Sequence, residues 1–508
     1  MPPETGAAAG AVSAIDPGVW HRLDARMLLL LPLQEILKNL PFLAVLVLAG
    51  SGSGRGPLWG LIGLAVTLAA GTLRWFTTRY QIGVAQVQVR RGLFRRRTMT
   101  VPRDRIRTVD LTAHVLHRIV GLASITIGTG RTDRKEDRGL KLDGLSAQDA
   151  SWIREELLHR RSAVAAPTAT TSQAGPAATE LARWQPRWIA YGPFTLSGAV
   201  TVLAVVGFGL EIVNEGHLRV NRLGPIHSII EQLGSASPTL LALVALVAAV
   251  ILIALASTLG YLLAFWNFRL IRQAGTLQVT RGLLTNRVIS IDERRLRGIE
   301  LSEPLLLRWV KGARCIAIAT GLRVGRGAER GGSMLVPPAP ERIAASVSAE
   351  LLGSTGPVQA ALLEHGPVAR RRRFNRVLLV MAPVLVLLLI LWGLGALPAW
   401  PWLAATGLLL LLLPVAWDRY RSLGHAVVGQ CLVVRSGSLV RRRSMVLTEG
   451  IIGWNLHQSF FQRRARVVNL IATTAAGRQA YRLQDLTLPE SIRVAEEACP
   501  GLLSPFLE

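Results

Sequence analysis

The chain has 508 residues, of which 50% are hydrophobic and only 18% are charged, with a formal net charge of +26. A soluble protein usually carries about a quarter charged residues, so this composition argues against a wholly soluble enzyme. High hydropathy with positive charge instead favours a membrane protein whose cations meet nucleic acid or lipid head groups. The three cysteines (Cys315, Cys431 and Cys499) are far apart, which argues against a disulfide framework or a cysteine zinc site.

Six apolar blocks form three close pairs along the chain, each block near the roughly 20 residues of helix that cross a bilayer. The pairs are 27–49 with 57–76, 189–210 with 239–266, and 376–396 with 400–417. The sequence therefore predicts a polytopic α-helical membrane protein with six spans in three hairpins.

The first apolar block is less uniform than the others, because it contains Gln34, Glu35, Lys38 and Asn39. Three interpretations stay open for these polar residues. They form a functional polar cluster inside the membrane, or an interfacial helix over 27–38, or one end of a long tilted span.

Arginines lie mainly outside the helix pairs, whereas the three hairpin turns carry only Arg55, Arg219 and Arg222. By the positive-inside rule, this distribution predicts that the N- and C-termini and the regions between the pairs are cytoplasmic. We expect no cleavable signal sequence, because 26 mostly polar residues precede the first apolar run.

A threefold repeat runs through the stretches that follow the helix pairs, anchored on Gly92, Gly282 and Gly437. The residues up to these glycines read VQVRRG, LQVTRG and LVVRSG. Alternating apolar and polar residues on both sides predict β-hairpins, with each glycine taking a positive φ at the turn. An arginine follows each glycine after 26 residues: Arg118, Arg308 and Arg463.

Each repeat ends in a helical pattern, over 146–161, 339–352 and 488–498, and Ser146 is the expected N-cap of the first. Each unit is therefore expected to be an α+β unit, a small curled sheet closed by a helix. The expected segments are an N-terminal segment 1–26, helix pairs 27–79, 184–266 and 376–418, sheet units 80–160, 267–353 and 419–508, and linkers 161–183 and 354–375.

The first unit reads VRRGLFRRRTMTVPRDRIRTVDL at 89–111, followed by LHRIVGLASITIGTG at 116–130. This pattern behind a helix pair resembles the bacterial pleckstrin-homology-like (PH-like) membrane protein family, in a form with three units. The second unit keeps the pattern more loosely, and the third lacks the Arg-Gly pair and the Pro-x-x-Arg-Ile core. The resemblance implies a PH-like split β-barrel with a C-terminal helix in each unit, and no established reaction.

The resemblance also implies a multi-pass protein of the bacterial cell membrane with a role in envelope or antimicrobial stress. It implies as partner a smaller membrane protein with one helix pair and one PH-like unit. A homo-oligomer is a further expected arrangement.

Two arginine clusters surround the anchor glycines of the first and third units. They comprise Arg90, Arg91, Arg95, Arg96 and Arg97 in the first unit and Arg441, Arg442 and Arg443 in the third. Cations near an anionic leaflet gain about 1 kcal/mol each, so these hairpins either lie on anionic membrane lipids or only fix the topology. Nucleic acid is not expected as a partner, because few aromatic residues interleave with the arginines.

No catalytic set, cofactor site or metal site is recognisable in the sequence, which lacks GxSxG, HExxH and Walker patterns. The leading interpretation is a non-enzymatic integral membrane scaffold that presents three cytoplasmic units for protein–protein and anionic-lipid binding. The alternatives are a six-span transporter or channel with regulatory cytoplasmic domains, and an enzyme that acts on lipid.

Overall fold

A computed structural model describes residues 19–28, 30, 36, 39, 56–83, 85–92, 96–106, 108–128, 140–163, 178–195, 197–200, 202–204, 207, 237–322 and 333–502. The chain divides into two compact bodies. The first contains residues up to 177 together with 276–280 and 284–292. The second contains 178–275, 281–283 and 293–508.

Some of the described strands alternate buried and more exposed side chains, as in Gln86–Arg91, whereas others, such as Leu296–Pro304, are buried along most of their length. The strands are β1 (His21–Arg22), β2 (Arg79–Ile82), β3 (Gln86–Arg91), β4 (Arg97–Pro102), β5 (Thr108–Ala113), β6 (Leu122–Gly128), β7 (Leu140–Ser146), β8 (Thr179–Arg183), β9 (Arg269–Gln273), β10 (Thr276–Arg281), β11 (Asn286–Asp292), β12 (Leu296–Pro304), β13 (Gly312–Ala319), β14 (Met334–Pro340), β15 (Gly424–Val428), β16 (Cys431–Ser436), β17 (Val440–Leu447), β18 (Ile451–His457), β19 (Val467–Thr474) and β20 (Ala480–Thr487).

The described α-helices fall into long apolar helices and shorter helices that cap or connect the sheets. They are α1 (Gly56–Thr77), α2 (Val115–Val120), α3 (Ala147–Ala163), α4 (Pro238–Phe265), α5 (Leu305–Trp309), α6 (Glu341–Leu352), α7 (Gly356–Gln359), α8 (Gly366–Gly393), α9 (Trp400–Arg421), α10 (Phe460–Arg464) and α11 (Leu488–Ala498).

The first body contains a four-stranded antiparallel sheet in the order β1-β2-β3-β4 and a second sheet in which β7-β6-β5-β11-β10 follow one another. The apolar faces of these sheets bury Val87, Ile125 and Ile127 against Ile153 of α3. Ser146 directly precedes helix α3, and its Oγ accepts a hydrogen bond from the Asp149 amide at 3.0 Å.

The second body contains a six-stranded sheet in the order β14-β13-β12-β17-β16-β15 and a three-stranded sheet in the order β18-β19-β20. Strands β8 and β9 also pair in this body. Its core joins Ile318 of β13 to Leu432, Val446, Leu470 and Leu483 of the third unit. Residues from two sequence repeats therefore share one core.

Sheets in both bodies cross the boundaries between the sequence repeats. Strand β5 of the first unit pairs with β11 of the second, and β12 of the second pairs with β17 of the third. We expected three self-contained PH-like units, and the strand pairing differs from that expectation. The reason is that backbone N–H and C=O groups at a sheet edge are left without partners until another strand binds there.

Three helices among the described residues are long and apolar enough to cross a membrane. They are Leu243–Phe265 within α4, Gly366–Gly393 (α8) and Trp400–Arg421 (α9). Helix α8 begins ten residues before the expected block at 376, because the arginines at 370–373 continue the helix towards the third unit. Helix α1 has 22 residues over the expected block 57–76 and is not one of these three.

Two of the six expected spans are described only in part. Most of the block 27–49, including Glu35 and Lys38, lies outside the described residues. The block 189–210 begins differently from expectation, because Pro186–Tyr191 and Pro193–Thr195 form 3-10 helices in which Trp188 is buried. The three described spans support a membrane protein, and the count of six stays a prediction.

Candidate functional site: joined strand edges and arginine hairpins

The edge between β12 and β17 joins the second unit to the third, and residues 298–304 lie antiparallel to residues 440–446. We call this pairing the 2–3 joint. Glu303 lies opposite Arg441, whose Nε donates to Glu303 Oε2 at 2.8 Å. The two side chains are only 11% and 29% exposed, so this ion pair is partly shielded from water.

Glu300 lies at the centre of the 2–3 joint and is 2% exposed. Its carboxylate accepts a hydrogen bond from Ser444 Oγ at 3.3 Å and lies 3.4 Å from Arg442 Nε and 3.3 Å from Arg478 Nε. Burial raises the pKa of Glu300, while Arg478, Arg442 and Ser444 act in the opposite direction. A carboxylate in such a place requires its cationic partners, since an unpaired buried charge is costly.

Arg443, the last arginine of the third-unit cluster, also binds protein groups. Its Nη2 donates to the carbonyl oxygens of Pro357 and Ala360, both at 2.9 Å. Burial lowers the pKa of Arg443, and neighbouring Arg435 and Arg441 lower it further. The structure thus places Arg441, Arg442 and Arg443 against protein groups, and lipid binding by them stays a prediction.

The first-unit arginines have a different environment. Arg90 lies over the Trp20 ring, 4.8 Å from its centroid, and Arg91 donates to the Lys141 carbonyl oxygen. Arg96 and Arg97 are exposed on the hairpin. Arg95 lies outside the described residues. The first hairpin (residues 86–102) therefore presents cations to solvent at positions that the third hairpin (residues 431–447) uses for protein contacts.

The first body repeats the same arrangement where β5 pairs with β11, and we call this pairing the 1–2 joint (residues 108–113 and 286–291). Arg287 Nε lies 3.0 Å from both carboxylate oxygens of Asp110. His114 Nδ1 also lies 3.1 Å from Thr285 Oγ1 beside the joint. Each joint therefore contains an arginine on the later unit that binds a carboxylate on the earlier one.

Sequence reasoning assigned no role to Asp110, Arg287, Glu300 or Glu303. A signal was available, because Asp110 and Glu300 both lie 18 residues after their anchor glycines. Likewise Arg287 and Arg442 both lie five residues after theirs. The signal becomes interpretable only when the strand that each residue faces is known.

The arginines that recur 26 residues after the glycines have unequal environments. Arg308 donates through Nη2 to Asp418 Oδ1 at 2.9 Å, which ties the second unit to the end of α9. Arg118 and Arg463 are exposed. The contact of Arg308 with α9 thus occurs at a position where the first and third units have exposed arginines.

A buried polar cluster binds the start of α8 to the third unit. Arg373 Nη1 donates to Asp485 Oδ2 at 2.7 Å, and Arg372 Nε lies 3.0 Å from Asp485 Oδ1. Gln462 Nε2 donates to the same carboxylate at 2.8 Å. Asp485 is 1% exposed, so the helix that continues into a candidate span is held by a buried ion pair.

Two buried histidines lie next to this cluster. His365 Nδ1 lies 2.6 Å from the Gln484 carbonyl oxygen, which can only accept, so this nitrogen donates. His365 Nε2 is then the acceptor for His425 Nδ1 at 3.2 Å. Burial lowers the pKa of both rings, and the pKa of His425 falls to about 4, helped by His365 and Arg493. A cleft of roughly 370 Å³ opens beside His425.

Apolar helices long enough to cross a bilayer, followed by antiparallel sheet units closed by helices, define a membrane protein with PH-like domains. The chain belongs to the Bacterial PH domain family, which matches residues 28–161, 228–350 and 362–498. This confirms the resemblance seen in the sequence. The chain is also similar to the transmembrane protein YdbT of Bacillus subtilis (strain 168), with 22% identity over 488 residues, 92% of this chain and 94% of that protein. No solved structure matches.

Proposed function

We propose that this chain is a non-enzymatic integral membrane scaffold that presents its PH-like units for binding proteins and anionic lipids. The observation that carries the lipid half is the contrast between two hairpins with the same basic pattern. Arg90, Arg96 and Arg97 are exposed, whereas Arg441, Arg442 and Arg443 contact protein groups. Exposed cations close to an anionic surface gain about 1 kcal/mol each.

The protein-binding half rests on the two joints. In both joints, one unit of this chain pairs with a neighbouring unit through a strand edge, with backbone hydrogen bonds and at least one arginine–carboxylate contact. Strand addition is a general mode of protein recognition, in which backbone bonds give affinity and side chains give register.

The proposal includes six spans in three hairpins, cytoplasmic termini, the bacterial cell membrane as location, and a role in envelope or antimicrobial stress. A smaller membrane protein with one helix pair and one PH-like unit is its proposed partner. The transporter or channel alternative depends on Glu35 and Lys38, which lie outside the described residues.

The lipid half is tested with the full-length protein in detergent, by counting bound phosphatidylglycerol and phosphatidylcholine in native mass spectra. We expect the triple variant Arg90→Gln, Arg96→Gln, Arg97→Gln to lose phosphatidylglycerol binding, by about fivefold for each contributing arginine. Phosphatidylcholine binding should not change, because that lipid carries no net charge.

The matched control removes three other exposed arginines, by Arg463→Gln, Arg464→Gln and Arg482→Gln. This variant has the same net charge as the hairpin variant. Equal phosphatidylglycerol binding by the two variants would show that total charge, and not the first hairpin, attracts the lipid. That result would contradict the proposed lipid site.

A further inference from the structure

The two joints have the same register when residues are counted from the anchor glycines. In the 1–2 joint Asp110 lies opposite Ile289, and in the 2–3 joint Glu300 lies opposite Ser444. In both pairs, the first residue is 18 positions after its glycine and the second is seven positions after the next glycine. The pairing is therefore a repeated feature of this chain.

Each joint uses one strand from the second half of a unit and one strand from the first half of the following unit. Two equivalent strands remain at the ends of the series, namely β4 in the first unit and β18 in the third. Within the part of the chain that the structure describes, β4 pairs with β3 alone and β18 with β19 alone. Among the described residues, each therefore has one edge without a neighbouring strand.

Side chains on these two strands are more exposed than their equivalents in the joints. Seven positions after the glycine, Ile289 and Ser444 are 1% and 7% exposed, whereas Met99 is 39% exposed. Eighteen positions after the glycine, Glu300 is buried and Asn455 is exposed. Strand β18 also exposes Ile452 and Leu456, at 67% and 45%. Long exposed edges with apolar side chains are pairing surfaces.

We propose that β18 of one copy of this chain pairs antiparallel with β4 of a second copy, head to tail, in the register of the two internal joints. Asn455 then lies opposite Met99 and Trp454 opposite Thr100. This inference deepens the protein-binding half of the proposed function, on which it rests, and it names a second copy as the partner.

The second copy is the favoured occupant because one chain carries both complementary edges. The spacing within the units also matches. The 3-10 turns at Arg103–Arg105, Glu293–Arg295 and Thr448–Gly450 all begin 11 residues after their glycines. No insertion separates the anchor glycine from the pairing strands, so the register carries over without adjustment.

One side-chain contact differs from the internal joints. Arg97 is equivalent to Arg287 and Arg442, because each lies five residues after its glycine. In the internal joints these arginines bind Asp110 and Glu300, whereas the equivalent residue of β18 is Asn455, which carries no charge. The joint between copies thus has an amide in place of Asp110 or Glu300. It is weaker than the internal joints and reversible. Because its two surfaces differ, it builds a closed ring or an open filament.

The pairing is tested by cysteine cross-linking of the full-length protein in membranes. Two differently tagged copies carry Asn455→Cys and Met99→Cys, in a Cys499→Ser background that removes the partly exposed native cysteine. Directly opposed residues of an antiparallel pair lie within disulfide reach. We expect covalent dimers in the mixed sample and none from either copy alone. Trp454→Cys with Thr100→Cys tests the neighbouring pair.

The register control combines His457→Cys with Val101→Cys on the same two strands. His457 faces Arg97 in the proposed register, so Val101 is four residues, or about 13 Å, away. Dimer yield no greater than this control would overturn the proposal. Dimers from Asn455→Cys alone would replace it with a symmetric contact. Cross-linking to a different protein would overturn the choice of a second copy.

A substitution that restores the missing carboxylate gives an independent test. Asn455→Asp should strengthen self-association by about two- to fivefold, measured by fluorescence energy transfer between labelled copies, and salt should reduce the gain. Adding Arg97→Gln should remove the gain. No strengthening by Asn455→Asp would contradict the register. Lipid counts on the Asn455→Asp sample, which keeps Arg97, separate this result from the lipid half of the proposed function. Failed pairing with unchanged phosphatidylglycerol binding in that sample refutes only the pairing.

Discussion

The first and third hairpins carry the same kind of basic sequence around the same glycine and differ in what borders their outer strand. In the third unit that strand is β17, and β12 lies beside it, so Arg441 and Arg442 bind Glu303 and Glu300. In the first unit the strand is β4, and Arg96 and Arg97 are exposed. The neighbouring strand therefore decides whether an arginine stabilises a joint or remains available for binding.

This comparison separates two meanings of one sequence pattern. Arginines near a membrane helix are usually interpreted through the charge of the lipid surface. In the third unit the nearest anions are carboxylates of the preceding unit. A basic cluster next to a span therefore does not by itself indicate lipid binding.

The largest expected effect is a loss of stability in the 2–3 joint, which the equivalent change in the 1–2 joint should not match. Glu300→Ala should destabilise the 2–3 joint by about 3 kcal/mol, because it leaves Arg442 and Arg478 without their buried carboxylate. Asp110→Ala should cost the 1–2 joint about 1 kcal/mol, because the Asp110 side chain is 15% exposed, against 3% for Glu300. Hydrogen exchange of β17 and β11 measures both effects. An equal loss of protection in the two strands would show that burial of the carboxylate does not distinguish the joints.

The next effect is a pH dependence of the third unit. Because the folded-state pKa of His425 is lowered to about 4, protons bind the unfolded state first as pH falls below about 6.5. Stability is therefore fully present above that pH and is lost on acidification towards pH 4. We expect a loss of about 2 kcal/mol between pH 7 and pH 5, measured by hydrogen exchange of β15.

The control for this pH dependence is His425→Asn, which retains a donor towards His365 Nε2 and does not titrate. The groups that face His425 are His365, Glu490 and Arg493. Glu490 lies 3.8 Å from His425 Nε2. A loss of stability clearly smaller than about 2 kcal/mol between pH 7 and pH 5 would show that Glu490 stabilises the protonated ring. The same loss in the His425→Asn variant would show that another group is responsible.

The last effect concerns the anchor glycines, whose φ angles are 106° at Gly92 and 104° at Gly437. Gly437→Ala should cost more than the about 1–2 kcal/mol of backbone strain, because its Cβ would also lie 2.1 Å from the Val440 carbonyl oxygen. Since that turn supports β17, protection should fall in the 2–3 joint. Gly92→Ala should reduce protection within the first hairpin alone. Loss of protection in β11 on changing Gly92 would contradict this difference.

Much of the architecture follows from local sequence. The apolar blocks at 239–266 and 400–417 contain or overlap candidate membrane spans of 23 and 22 residues. Continuous runs of leucine, valine and alanine of this length are typical of a helix that crosses a bilayer. The final helix occupies Leu488–Ala498, where Thr487 caps it by accepting from the Glu490 amide. The family resemblance rested on the strand pattern around Gly92, and the family match confirms it.

The candidate site was less accessible to sequence reasoning. The pairing of Glu300 with Arg442 joins residues 142 positions apart, and no local pattern reports which strand will lie beside β12. The ion pair between Arg373 and Asp485 was also not predictable, because no local sequence pattern shows that an arginine of a helix will contact a carboxylate of a distant strand. Sheet pairing between repeats arises from backbone hydrogen bonds, which are the same for every residue except proline.

The sequence by itself determined the segregation of the chain into apolar helices and basic sheet units, because periodicity and hydropathy are properties of neighbouring residues. It also determined the repeat, because equivalent residues follow Gly92, Gly282 and Gly437 at constant offsets. Only the tertiary structure decided that the units share sheets, that Arg441 and Arg442 lie in a joint, and that β4 and β18 end the series. The physical reason is that a strand edge is completed by a partner distant in sequence, and this partner sets the environment of every side chain along it.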